Sequence, residues 1–168
     1  MKNTNIQKTL LAAALGLTLG FASCGGAASP KDLNNAGETA LQSMDYDGAK
    51  AIYEEALAAL GDDAASADYK TAKLGIIECL AHLNADACVA EFRALAAGGS
   101  LEARDYSFIG GLLAGANSVS AGIEIAGDGI KAFPGNGSLD NVLKSLAEKA
   151  KTSGNAKDMG ALSGLGYL

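Results

Sequence analysis

Residues 34–57 read NNAGETALQSMDYDGAKAIYEEAL, and the spacing of their small and large apolar residues decides the fold. With Leu33, the residues Ala36, Gly37, Ala40 and Leu41 fall at i, i+3, i+4, i+7 and i+8, which is one stripe of an α-helix. Ala49, Ile52, Tyr53, Ala56, Leu57 and Leu60 form a second stripe beyond a short polar break. Gly37 and Ala49 lack bulk where two helices of a hairpin must approach closely, while Tyr53 is large enough to reach between layers. One such hairpin cannot bury both stripes, so it must stack on another.

The same spaced set returns three times after Pro30, at offsets of 39, 34 and 37 residues. The second copy is Ala72, Gly75, Ile76, Cys79, then Cys88, Phe92 and Leu95. The third is Tyr106, Ile109, Gly110, Leu113, then Gly122, Ala126 and Gly129, closed by Pro134. The fourth, Leu143, Leu146, Ala147, Ala150, then Met159, Ser163 and Gly166, is the least faithful. The pattern resembles the tetratricopeptide repeat W-x2-L-G-x2-Y, then A-x3-F, then P. It departs in having Gly61 where the first copy should carry proline, and no tryptophan in any copy. The resemblance implies an all-α, right-handed solenoid of about four antiparallel helical hairpins over residues 30–168; the plain alternative is a helical bundle without repeats.

Capping signals agree with eight helices. Ser29-Pro30-Lys31-Asp32 supplies an N-cap hydroxyl, a proline in the first turn and an acid three residues after the cap. Asp45, Ser66, Asn84, Ser100, Ser118, Ser138 and Asn155 each precede an apolar-periodic run. The expected helices are 30–43, 45–60, 67–83, 85–97, 101–116, 119–133, 139–152 and 156–166.

The N-terminus is a separate module. Lys2 and Lys8 precede a 13-residue apolar stretch, Thr9 to Phe21, followed at once by Ala22-Ser23-Cys24. Such a stretch is shorter than the roughly 20 residues a helix needs to span a bilayer. The run resembles a bacterial lipoprotein signal, with Phe21 in place of the usual Leu, Val or Ile; an ordinary secretory signal is the alternative. The resemblance implies a signal peptide over 1–23, acyl chains on Cys24 with a short tether over 24–29, and a repeat domain over 30–168. It also implies a place in the cell envelope, lipid-anchored, on the periplasmic face of the outer membrane in a diderm cell. Cleavage takes two of 13 basic residues and none of 19 acidic ones, leaving 145 residues at a formal −8. That sign argues against nucleic acid as a partner.

Chemistry-bearing patterns are few. His82 is the only histidine, at the end of a helix, where a solvated or capping role suits it. The chain has no G-x-S-x-G, Walker A or EF-hand loop. The expectation is therefore a protein that is not an enzyme and needs no cofactor or metal. Cys79 and Cys88 face each other across the second hairpin's turn, either as a disulfide in an oxidising compartment or as small apolar side chains filling the seam. Gly110, Gly111, Gly115, Gly122, Gly127 and Gly129 sit inside expected helices, where each costs roughly 1 kcal/mol against alanine. Close helix packing offsets that cost on one reading; on the other, the third hairpin receives a small or lipidic ligand.

In tetratricopeptide stacks the first helix of each hairpin lines the concave face. Carried over, that face holds Lys31, Asn34 and Glu38, then Lys70, Lys73 and Ile77, then Arg104, Ser107 and Gly111, then Asn141, Lys144, Glu148 and Lys151. A basic groove on an acidic body would suit a protein or acidic peptide partner; a merely solvated charge distribution is the alternative. The function expected is a membrane-anchored scaffold or adaptor for protein–protein interaction. Replacing Cys24 with serine should release the chain from the membrane fraction and abolish fatty-acid labelling; retention and labelling equal to wild type would contradict the anchor.

Overall fold

The computed structural model describes residues 28–168 apart from position 62. The expected signal peptide, Cys24 and most of the expected tether lie outside the described residues. Those described form eight α-helices and no strand: α1 (Pro30–Gln42), α2 (Tyr46–Leu60), α3 (Ala67–Leu83), α4 (Ala85–Ala97), α5 (Ala103–Gly115), α6 (Val119–Ala132), α7 (Gly137–Ser153) and α8 (Ala156–Gly164). The class is all-α.

Most of the expected caps operate. Ser29, Asp45, Ser66, Asn84 and Asn155 each accept a hydrogen bond from a backbone N–H in the first turn of the helix that follows, which satisfies donors a helix start leaves orphaned. Two caps are elsewhere. Helix α5 begins after Glu102 rather than Ser100, because Leu101 turns into the core and the Glu102 N–H donates to the Asp105 carboxylate at 2.9 Å. Helix α7 begins two residues early, at Gly137, because the Asn136 side chain accepts from the N–H groups of Ser138 and Leu139.

Helix α1 packs on α2 and α3, α2 on α3, α3 on α4 and α5, and α5 on α6 and α7. Helix α6 also touches α4, α7 and α8. Tyr53 of α2 organises the first three helices. A Cβ built on Gly37 of α1 would lie 2.8 Å from the Tyr53 ring, and one on Gly75 of α3 would lie 2.4 Å from it. The ring therefore passes through a gap that two glycines keep open, with its hydroxyl-bearing carbon between them. Gly37 meets Tyr53, not Ala49, at its closest approach.

The third pair solves the same problem with small residues. A Cβ on Gly110 of α5 would lie 3.3 Å from the Ala126 Cβ of α6, and one on Gly122 would lie 3.1 Å from the Gly110 carbonyl oxygen and 3.0 Å from Leu146. Ala126 stands where Tyr53 stands in the first copy, so the backbones close on each other instead of admitting a ring. Gly129 gives room to Tyr106 and Leu139, and Gly127 to Leu165.

The fourth copy is out of phase in its second half. Leu162 and Asp158 are the buried residues of α8, one position before the expected Ser163 and Met159. Asp158 is held by the Ser120 hydroxyl of α6, and that polar tether sets the helix's rotation where apolar pattern is thin.

Gly75→Ala should cost about 1–3 kcal/mol, because the Tyr53 ring has to shift in a packed seam. Gly111→Ala, whose Cβ would sit 4.0 Å from Val142, should instead raise stability by up to about 1 kcal/mol through helix propensity. Chemical denaturation distinguishes them; the same sign for both changes would contradict the threaded ring.

Candidate functional site

Because the Tyr53 ring runs forward from α2 through the glycine gap, its hydroxyl end emerges between α1 and α3. A cleft of about 480 Å³ opens there, lined by Glu38, Leu41 and Gln42 of α1, Tyr53, and Thr71, Leu74, Gly75 and Glu78 of α3, with Phe108 of α5 at its edge. Phe108 is 55% exposed, a large aromatic side chain left in water. Two carboxylates line the cleft, and none of its lining residues is basic.

The electrostatics follow from that lining. Burial, helped by the Glu38 charge, raises the Glu78 carboxyl above its ordinary 4.5. Burial first, then the neighbouring Cys79, Glu78 and Glu38, raises the Tyr53 phenol above its ordinary 10.

The expected groove residues are scattered by comparison. Glu38 lines the cleft. Ile77 is fully buried and so presents nothing to a partner. Asn34 is 5% exposed, and its Nδ2 donates to the Asp68 carbonyl at 3.1 Å, joining α1 to α3. Lys70 reaches the Asp105 carboxylate at 3.0 Å and the Ser100 carbonyl at 2.8 Å, bracing α3 against the start of α5. Lys73 pairs with Glu91 of α4 at 3.3 Å and lines a different cleft, beside Tyr69 and Leu95. Arg104 pairs with Glu102 at 3.2 Å and approaches Asp105 at 3.8 Å. The Ser107 hydroxyl donates to the Arg104 carbonyl. Lys144 and Lys151 pair within α7, with Asp140 and Glu148. Lys31 is exposed on the first turn of α1. The structure thus brings Lys70 and Arg104 together on Asp105 but matches their charges locally, and no basic groove results.

The reason is the rotation of α3, one position from the expected one. The residues facing the cleft are Thr71, Leu74 and Glu78, each one position after Lys70, Lys73 and Ile77, which is about 100° around a helix. Helix α3 is packed by α1, α2, α4 and α5, so apolar residues surround it and its periodicity marks no single face. The apolar pattern of α3 therefore does not single out Glu78 as a cleft residue. The sequence marks Tyr53 as a layer-spanning residue, and the structure adds that it reaches the cleft.

No family model, curated protein or solved structure matches the chain. The cleft must therefore be read from its own chemistry.

Cys79 and Cys88 are free thiols, both fully buried. Burial, with Glu78 adding to it, pushes the Cys79 thiol up to about 11, and burial lifts Cys88 to about 12. Thiols so protonated at neutral pH are poor nucleophiles, which suits apolar filling better than a bridge. His82 stacks on Tyr46 with ring centroids 4.1 Å apart, tying the end of α3 to the start of α2. The glycine-rich seam of α5 and α6 is closed by the contacts of Gly110 and Gly122, leaving no room between those helices there for a ligand.

Because Glu78 holds its proton more tightly folded than unfolded, stability falls as pH rises from 4.5 toward the raised folded value, and the penalty is complete above it. Glu78→Gln should then melt higher than wild type at neutral pH and nearly equal to it at about pH 4. A pH-independent difference in melting temperature would contradict this assignment.

Proposed function

We propose that this chain is a lipid-anchored, exported protein of the bacterial cell envelope that holds another protein in the cleft between α1, α3 and α5. On this reading the eight helices are four antiparallel hairpins stacked as a tetratricopeptide-like solenoid. The contacts that run α1 to α3 to α5 to α7, and α4 to α6 to α8, support it, since stacked repeats touch through like helices. Cys24 carries the acyl chains and the envelope supplies the partner.

One observation carries the binding role. The first helices of three successive hairpins contribute to one open cleft, and that cleft leaves Phe108 and two carboxylates facing solvent. An exposed aromatic residue beside unpaired charge is a common feature of interaction surfaces. The other expectations belong to the same proposal: no catalysis, no cofactor and no nucleic acid.

Site-specific photo-crosslinking in intact envelopes tests it. A crosslinker at Thr71 or Phe108 should capture one and the same protein, while one at Glu54 of α2 or Lys131 of α6 should not. Equal capture from both faces would contradict the cleft as the binding surface.

A further inference from the structure

We propose that the cleft receives a lysine or arginine side chain from a basic, apolar-flanked segment of the partner, with its cation between Glu38 and Glu78, beside the Phe108 ring and within reach of the Tyr53 hydroxyl. The proposal deepens the binding role above and depends on it.

Three independent observations point to a cation. The first is charge: Glu38 and Glu78 line one cleft with no basic residue among its walls, whereas the Asp105 carboxylate nearby is matched by Lys70. The second is Tyr53. The residue is 4% exposed, its ring is gripped between Gly37 and Gly75, and its hydroxyl is aimed into the cleft, where no described residue gives it a hydrogen bond. That hydroxyl has no intramolecular partner among the described residues and meets solvent at the cleft, so it is available to a bound group. The third is Phe108, whose exposed ring offers the negative face that attracts an ammonium or guanidinium.

The site suits a side-chain cation better than a metal ion. Two carboxylates and one neutral phenol fall short of the six to eight oxygens that calcium takes. Leu41 and Leu74 supply apolar wall for the methylene stem that carries a lysine or arginine charge. A guanidinium stacks on an aromatic face and donates to carboxylates at the same time, which makes arginine the better of the two.

The test uses three fluorescein-labelled peptides on the full-length chain: one with a single arginine between leucines, one with citrulline in its place, and one with glutamate. The arginine peptide should bind about ten-fold or more tightly than the citrulline peptide, since charge-assisted contacts are lost with the charge, and the glutamate peptide should bind weakest. The double change Glu38→Gln and Glu78→Gln should erase the preference for arginine over citrulline while melting no lower than wild type. Tyr53→Phe, which keeps the ring between the glycines, should weaken the arginine peptide alone. Equal affinity of arginine and citrulline peptides, no binding of any peptide to about 1 mM, or an unchanged preference in the double variant overturns the proposal. Crosslinking at Thr71 separates the two readings: if it still captures a partner while the peptides show no charge preference, the cation fails and the binding role stands.

Discussion

Everything in the first half of this molecule depends on the Tyr53 ring filling a gap between two glycines. Gly37 and Gly75 leave the backbones of α1 and α3 free of Cβ atoms where the ring passes, and a methyl group on either would enter the space the ring occupies. The ring belongs to α2, so one side chain binds three helices. Aromatic burial of that size is among the larger single contributions available to a core, and it has a directional result. The hydroxyl must come out on the far side, and the floor of the cleft is made of it.

The other pairs show what happens when that constraint is altered. Phe92 takes the corresponding place in α4, is fully buried, and meets Tyr106 edge-on at 4.9 Å; Tyr106 in turn meets Phe133 at 5.8 Å. A phenylalanine there brings no hydroxyl to the surface. In α6 the place belongs to Ala126, and Gly110 and Gly122 let α5 and α6 close together. The polar-floored opening at Tyr53 therefore belongs to α1, α2 and α3 and is not reproduced at Phe92 or Ala126. Charge is distributed to match: Lys70, Lys73 and Arg104 are taken up by Asp105, Glu91 and Glu102, while Glu38 and Glu78 share the cleft without a cation.

Helix number and most helix ends were legible in the chain, because caps such as Ser29, Ser66, Asn84 and Asn155 are local chemistry that works wherever the helix is packed. The small-residue seams were legible in part: Gly37, Gly75, Gly110 and Gly122 have the close neighbours a glycine inside a helix suggests, while Gly111 and Gly115 have nothing nearer than 4.0 Å. What was not legible was rotation. On α3 the apolar residues run almost all round, so Thr71, Leu74 and Glu78 could not be told from Lys70, Lys73 and Ile77 as the open face. On α8 the buried Asp158 follows from Ser120, a partner 38 positions away. Ion pairs such as Lys70 with Asp105, 35 positions apart, are likewise long-range facts, and they engage expected groove cations outside the cleft.

The threaded ring can be observed directly. In a nuclear Overhauser spectrum of the chain, the Tyr53 ring protons should show cross-peaks to the α-protons of both Gly37 and Gly75. Cross-peaks to neither glycine, or to Gly37 alone in a folded chain, would contradict the arrangement, since the ring would then not bridge α1 and α3 and its hydroxyl would not reach the cleft.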